Sequence, residues 1–352
     1  MNKKLLHLAI AAAMGATAAQ AQDITIYGQM HASLDYVDTN TAGVVDDSDW
    51  ATGNMFNNRA SRLGVKGSED LGNGLKAIFK IESGVNGNVG SRNTYVGLSG
   101  DFGTVLMGRH DTPYKISSGS LDLFGDTLAD YNIVIGNFRD ASVDFDERVP
   151  QTVAYISPNM NGLTVSAAWV QFLNDEAGAA PDNTGAISLA AMYSNGPLFA
   201  SLAYEDHETA NLIGGARDAN AWKVGLGYKA NGFTAGLVYE DIDSDVVGDI
   251  DSKNLILNAS YAMGNNVFKV QYGDKDGTGT TRDWDYWAIG MDHKLSKRTK
   301  VYALYTQLDN TGAAGVAGTN GTLYCADAVT AATSNQCSGD ADGLSFGIVH
   351  KF

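Results

Sequence analysis

The sequence has few cysteines, few prolines and no long apolar run beyond its first residues. Two cysteines and five prolines stand against 41 glycines in 352 residues. Scarce proline and abundant glycine favour many strands joined by tight turns, because proline removes a donor from a strand ladder and glycine permits sharp turns. The longest later apolar run is about Ala186 to Tyr193, far short of the ~20 residues of a transmembrane helix. A membrane protein of this composition would cross the bilayer with strands, whose alternating faces give a weak hydropathy signal.

Basic residues are also scarce, and sequence motifs of catalysis are missing. The chain has 24 lysines and arginines against 40 aspartates and glutamates, a formal net charge of −16. This balance argues against nucleic acid as a partner, because phosphate binding needs clustered basic side chains. The histidines are scattered without ligand spacing, and neither GxSxG nor a phosphate loop occurs. The sequence therefore predicts no metal, no cofactor and no enzymatic activity.

Residues 1–21, MNKKLLHLAIAAAMGATAAQA, have the order of a secretory signal peptide. Lys3 and Lys4 precede an apolar stretch, and a small-x-small cleavage site ends at Ala21. The alternative is an amphipathic helix of the mature protein. We expect residues 1–21 to be removed and residues 22–352 to leave the cytoplasm, where disulfides are permitted.

The mature chain alternates between apolar and polar residues with a period of two, the pattern of β-strands. The first run places Ile24, Ile26, Met30 and Leu34 on one face. Two later runs, Trp222 to Tyr228 and Phe233 to Tyr239, have apolar faces that begin and end with an aromatic residue. At ~3.3 Å per residue these aromatics lie about 20 Å apart. That spacing matches the apolar band of an outer-membrane barrel with an aromatic girdle at each rim.

The connections between these runs alternate between short turns and long acidic loops. The short ones carry hairpin-turn residues such as Asn231-Gly232. Short turns at one rim and long loops at the other are typical of outer-membrane barrels. We predict an all-β fold, a transmembrane antiparallel β-barrel of about 16 strands, which is wide enough for an aqueous channel. Residues 310–342 are predicted to be the last extracellular loop, and no boundary divides residues 22–352 into further domains.

Residues 111–147 form the longest segment that does not alternate. A loop of this length is usually functional or disordered, and this one is too apolar for a solvated linker. We therefore predict that it folds inward, into the bore of the barrel.

Several sequence blocks carry a family resemblance. They are SRLGVKGSEDLGNG from residue 61, RNTYVGLSGDFG from residue 92, LDLFGD from residue 121 and a terminal Phe352. With these blocks in this order, the chain resembles the general porins of Gram-negative bacteria along its whole mature length. The resemblance implies a homotrimer in the cell outer membrane, among lipid and lipopolysaccharide, that passes ions and small hydrophilic solutes. It also implies that the third long loop constricts each pore, and that Phe352 is part of the signal recognised by the barrel-assembly machinery.

The resemblance also implies an eyelet of opposite charges. Carried over by position, Arg62, Arg92 and Arg148 form a basic wall, and Asp122 and Asp126 are the acids of the loop. Such facing charges would create a transverse field, and the narrowing would set the size limit.

The alternation of apolar and polar residues supports a lumen-facing position for two of these arginines. Arg62 is opposite in parity to Leu63, and Arg92 is opposite to Tyr95, so both are predicted to face the lumen. The alternative is that turn carboxylates neutralise them away from the pore. Gln29 stands where some relatives have lysine, and added acids precede Glu147, so the preferred ion sign stays open.

Cys325 and Cys337, twelve residues apart in an exported chain, suggest one disulfide. It would contribute ~3 kcal/mol, and free or intermolecular thiols are the alternative. The acidic loops are most simply solvated faces, or else they attract cations.

Three other functions remain open beside a passive channel. A substrate-selective porin would need a line of aromatics, for which Tyr114, Phe124 and Tyr131 are candidates. An outer-membrane enzyme would need a convergent nucleophile and base, and the sequence shows no such pair. A non-conducting adhesin or structural barrel would use the long acidic loops.

Overall fold

The computed structural model describes residues 23–39, 53–85, 87–136, 145–171, 185–209, 217–244, 250–278, 283–310 and 341–352. The expected signal peptide, Cys325, Cys337 and most of residues 310–342 lie outside these ranges. The first strands are β1 (Asp23–Thr39), β2 (Gly53–Asn58), β3 (Arg62–Gly72), β4 (Leu75–Gly84), β5 (Thr94–Gly100) and β6 (Gly103–Asp111). A short helix α1 (Pro113–Ser118) and 3-10 turns at Gly119–Leu121 and Tyr131–Ile133 follow.

The later strands are longer and follow one another without helices. They are β7 (Arg148–Ile156), β8 (Leu163–Gln171), β9 (Gly185–Asn195), β10 (Leu198–Thr209), β11 (Arg217–Ala230), β12 (Phe233–Ser244), β13 (Ile250–Met263), β14 (Asn266–Gly277), β15 (Trp284–Lys294), β16 (Thr299–Asn310) and β17 (Ala341–Lys351). In the part of the chain described here, no helix is long and apolar enough to cross a membrane.

The strands form one closed antiparallel sheet. Neighbours pair in chain order, and β1 pairs with β17, which closes the ring. Both β2 and β3 pair with β1, where Ala32 lies opposite Asn58 and Gln29 lies opposite Arg62. β2 and β3 are therefore one strand interrupted between Asn58 and Arg62. Counted this way, the 17 strand segments form a barrel of 16 strands. The predicted 16-stranded antiparallel barrel is confirmed.

The two faces of the wall have the predicted chemistry. Ile24, Ile26, Met30 and Leu34 of β1 are 46% to 54% exposed, and they point outward. From Gln29 onward the polar residues of opposite parity are buried inside the barrel: Gln29, His31, Ser33 and Asp35. A continuous apolar outer face suits the hydrocarbon of a bilayer, because strand backbone groups are satisfied by the closed ladder.

The connections at the two rims differ in length. At one rim β11 and β12 are joined by Asn231 and Gly232, with φ of 52° and 81°, the left-handed pair that a two-residue hairpin turn requires. At the other rim β6 and β7 are joined by residues 112–147, of which 112–136 and 145–147 are described. This alternation identifies the short-turn rim as the periplasmic one.

Candidate functional site

The segment after β6 turns at once toward the inner wall. Thr112 caps α1, with its Oγ1 accepting a hydrogen bond from Lys115 N at 3.2 Å, and Pro113 suits the first helical turn because its missing N–H would be unpaired there. Tyr114 is fully buried, and its hydroxyl donates to Glu240 Oε1 at 2.7 Å. Since Glu240 is on the inner face of β12, the segment starts inside the barrel.

Further along, the segment occupies a place where the wall has no side chains. A Cβ built on Gly225 or Gly227 would lie 2.8 Å from a Cδ atom of Leu121, and one on Gly290 would lie 2.9 Å from Cε1 of Phe124. We call Gly225, Gly227 and Gly290 the glycine seat. Side chains of the wall also hold the segment's backbone, because Asn258 Nδ2 donates to Leu121 O at 2.6 Å and Lys269 Nζ to Leu123 O at 3.1 Å.

The returning arm of the loop is fixed by a buried ion pair. Lys223 Nζ, on a side chain with no exposure, lies 2.5 Å from Asp146 Oδ1, and Lys115 Nζ lies 3.8 Å from the other oxygen. Burial opposes the charge of Asp146, but Lys223 and Lys115 hold its pKa below the ordinary value. A second anchor is Glu240, whose Oε2 accepts from Gly136 N at 2.7 Å.

Three aspartates cluster on the loop itself. Asp122 Oδ1 accepts from Phe124 N at 3.0 Å, and Asp130 Oδ2 accepts from Asp126 N at 2.7 Å. Burial raises the pKa of Asp122 well above its usual value, and repulsion by Asp130 adds to the effect. Burial likewise raises the pKa of Asp130 to about 6. Asp126 is the most exposed of the three, with a side chain 46% accessible.

The structure places the predicted residues Arg62 and Asp126 opposite each other. Arg62 Nη1 of the wall lies 3.7 Å from Asp126 Oδ2 of the loop, and both side chains stay partly accessible. The other two predicted arginines contact carboxylates of the wall. Arg92 Nε lies 2.8 Å from Glu82 Oε1, and Arg148 Nη2 lies 2.9 Å from Asp111 Oδ1.

Arg92 and Arg148 line a polar cavity of about 340 Å³ together with two arginines that the sequence did not single out, Arg59 and Arg109. Arg59 lies in the interruption between β2 and β3, where its Nη2 lies 2.5 Å from Asp35 Oδ2. Arg109 lies beside a shift of register between β6 and β7, and its Nε donates to Ser91 O at 3.1 Å. Both residues lie at irregularities of the sheet, so alternation could not place them.

The parity argument for Arg92 is wrong. β5 begins only at Thr94, and Tyr95 packs against the buried inner-face cluster of Leu106, Ala154 and Ala168. Arg92 therefore precedes the strand, and its ion pair with Glu82, rather than alternation, directs it into the cavity.

Two inner-face lysines were also missed, although alternation could have found them. Lys66 has the parity of Arg62 on β3, and Lys80 has the parity of Glu82 on β4. Lys80 Nζ lies 3.3 Å from Glu82 Oε2, and both ammonium groups lie over the ring of Tyr27, at 5.6 and 5.7 Å. Among the residues that the structure describes, no histidine, cysteine and carboxylate cluster could hold a metal ion.

Comparison with known proteins agrees with this architecture. A family model described as Gram-negative porin matches residues 8–313. The chain is 32% identical to outer membrane porin protein 32 of Delftia acidovorans, with all of both chains covered. The solved anion-selective porin from Comamonas acidovorans is 27% identical and superposes with a TM-score of 0.78, over 94% of this chain and 100% of that one.

A more distant structure supports the fold alone. It is the trimer form of OmpT, an outer membrane protein of Vibrio cholerae, 17% identical with a TM-score of 0.66, over 95% of this chain and 100% of that one. The matched family model and the full-length relative settle the assignment. The chain belongs to the Gram-negative porins, and it is a passive outer-membrane channel for small solutes rather than an enzyme.

Proposed function

We propose that the loop of residues 111–147 constricts the channel and that solutes are selected there by size and charge. The observation that carries this proposal is the 3.7 Å approach of Arg62 on the wall to Asp126 on the loop, with 25% and 46% of the two side chains accessible. An exposed ion pair of this kind contributes little to stability. Its charges instead remain available to passing ions and dipolar solutes.

The balance of charges at this narrowing favours anions. Arg59, Arg92, Arg109 and Arg148 line one cavity with Glu147, and Asp35, Glu82 and Asp111 pair with three of these arginines. The surplus of positive charge comes from Arg62, Lys66 and Lys80 on the adjoining wall. Desolvated loop acids add less negative charge than their number suggests, because Asp122 and Asp130 have raised pKa values. The relative from Comamonas acidovorans is named as anion-selective. We therefore propose a weakly anion-selective channel, despite the net charge of the whole chain.

A substrate-selective pore is the weaker alternative. The aromatic candidates Tyr114, Phe124 and Tyr131 are at most 3% exposed. They pack between loop and wall, where a solute in the lumen does not reach them. A line of aromatics along the pore therefore finds no support in these residues.

The direct test is single-channel conductance in a planar bilayer, with the reversal potential measured under a salt gradient. We expect the channel to prefer anions over cations. The anion-to-cation permeability ratio should fall about two- to fivefold in Arg62→Gln/Arg109→Gln, since the wall of the narrowing then loses two fixed positive charges, one opposite Asp126 and one in the arginine cavity. The matched control is Arg217→Gln/Lys253→Gln, which removes the same charge from strand ends at the long-loop rim. Equal preference in all three proteins would refute charge selection at the narrowing.

Assembly and processing are also proposed. We expect a homotrimer, so that conductance appears in groups of three steps, and contacts with outer-membrane lipid and lipopolysaccharide. We also propose cleavage after Ala21, recognition of Phe352 by the barrel-assembly machinery, and a Cys325–Cys337 disulfide. Mass spectrometry of the purified protein, with and without reductant, tests the cleavage and the disulfide together. A mass that retains residues 1–21, or two alkylated thiols without reductant, would contradict them.

A further inference from the structure

The charges of β14 to β17 are separated along the barrel axis. At the short-turn rim, and in the turn between β15 and β16, every charged side chain except Asp292 is basic: Lys269, Lys294, Lys297, Arg298, Lys300 and Lys351. At the long-loop ends of the same strands, every charged side chain except Lys275 is acidic: Asp274, Asp276, Asp285, Asp309 and Asp342. The chain as a whole is strongly acidic, so the basic rim is a local exception.

One carboxylate cannot neutralise this rim. The two oxygens of Asp292 are both occupied, Oδ1 by Lys269 Nζ and Oδ2 by Lys300 Nζ, each at 2.8 Å. Lys294 and Lys351, both exposed, form no ion pair within the described residues. At least part of the positive charge is therefore uncompensated.

The basic side chains on strands, those of Lys269, Lys294, Lys300 and Lys351, share the inner face of the wall. Lys294 lies directly opposite Lys300 across β15 and β16, and it has the parity of Asp292, opposite to that of the exposed Met291. Like charges directly opposite on a sheet face are destabilising. Lys351 lies opposite Gln29, which is buried on the inner face of β1. The sequence thus keeps an unfavourable pairing at the lumen mouth.

The rim that carries these charges is held by backbone hydrogen bonds. Lys351 N donates to Arg298 O at 2.8 Å, and Phe352 and Gly28 exchange two N–H···O bonds of 3.1 Å. The turn itself is closed by Ser296, whose Oγ accepts from Arg298 N at 3.1 Å. These bonds fix the backbone that carries the basic side chains, and a rim of one sign of charge raises the local concentration of counterions.

We propose that Lys294, Lys300 and Lys351, with the turn cations Lys297 and Arg298, form an anion-concentrating vestibule at the periplasmic mouth. Its ligands are small multivalent anions such as polyphosphates, held by charge without a shaped pocket. This vestibule is separate from the arginine cavity of the narrowing and rests on the proposed channel function. Together with the acidic long-loop ends of β14 to β17, it makes the two ends of this sector of the wall electrically different, while Asp23, Glu69, Asp70 and Asp101 bring negative charge to the rest of the short-turn rim.

The test is block of single-channel current by inorganic tripolyphosphate, added to one side at a time in ~10 mM salt. We expect about tenfold stronger block from one side, because a focused field of one sign enriches counterions by at least that factor. The difference should vanish in 1 M salt, where the Debye length falls from ~30 Å to ~3 Å. In Lys294→Gln/Lys351→Gln the difference should fall to about threefold or less.

The controls separate this inference from the proposed function. Lys294→Gln/Lys351→Gln leaves the Lys269–Asp292–Lys300 ion pairs in place, and unchanged conductance in 1 M salt shows that it is folded. The matched double variant Arg217→Gln/Lys253→Gln, at the other rim, should keep the wild-type difference in tripolyphosphate block between the two sides. Equal block from both sides of the wild-type channel, or equal loss in the two pairs, would overturn the vestibule. Failure of the arginine variants to alter ion preference would instead overturn charge selection at the narrowing.

Discussion

Replacing Lys223 by methionine should release the returning arm of the constriction loop. The side chain is completely buried, with its Nζ 2.5 Å from Asp146 Oδ1 and 4.0 Å from the centre of the Tyr114 ring. Methionine fills similar space but leaves the buried carboxylate of Asp146 with Lys115, at 3.8 Å, as its nearest cation. Its other oxygen, Oδ2, keeps the hydrogen bonds from Asn132 Nδ2 and the Tyr131 hydroxyl, but Oδ1 loses its charged partner. Removing one partner of a buried ion pair costs about 3–5 kcal/mol.

This cost falls on the loop and not on the barrel. The strands around β11 keep their ladder, and Glu240 still holds Gly136 N and the Tyr114 hydroxyl, each at 2.7 Å. Since every 1.4 kcal/mol is a factor of ten, a displaced arm gains about two to three and a half orders of magnitude in relative population. We expect new sublevels and excess noise in the open-channel current, with unchanged heat resistance of the folded band on electrophoresis.

The matched control is Lys229→Met, because Lys229 has the same parity on the same strand but is exposed. A Lys223→Met channel as quiet as wild type would refute the anchoring role of the ion pair. Excess noise in Lys229→Met as well would assign the effect to charge loss. In wild type the same anchor weakens in acid, because a depressed carboxyl pKa gives stability that is lost as pH falls through it.

Two further predictions concern the loop. Lowering pH from 7 to 5 should raise the anion-to-cation permeability ratio, because Asp130, whose pKa is raised to about 6 by burial, becomes neutral. Asp130→Asn should abolish most of this change. If the variant kept the pH profile of the wild type, the role of Asp130 would be contradicted. Gly227→Ala should push Leu121, 2.8 Å from the new Cβ, toward the lumen and lower the single-channel conductance, whereas Gly119→Ala, which meets nothing within 4 Å, should leave it unchanged.

The barrel was predictable because its determinants are local. Period-two alternation fixes which side chains meet lipid, and pairs such as Asn231-Gly232 specify the hairpin turns. The inward course of the loop follows from its many apolar residues, which would not stay in water. These features depend on neighbours in sequence, so no long-range information was needed.

The site was less predictable because it depends on irregular backbone and on long-range partners. Arg59 and Arg109 lie at a strand interruption and a register shift, where parity is undefined. Arg92 precedes its strand, so alternation counted from Tyr95 does not apply to it, and its ion pair with Glu82 determines where it lies. The Lys223–Asp146 ion pair joins residues far apart in sequence. The residues next to each of them in the sequence give no sign of the pairing.

The glycine seat has a consequence for how this pore can change over generations. Gly225, Gly227 and Gly290 leave a recess in the wall whose outline matches Leu121 and Phe124. A loop from a related protein with larger side chains at these two positions would protrude into the pore. Side chains in place of the three glycines would displace the native loop from the wall. We therefore expect substitutions in the loop and in the wall to depend on each other. Recombination between related barrels should preserve conduction only when the exchanged fragments carry both halves of that fit.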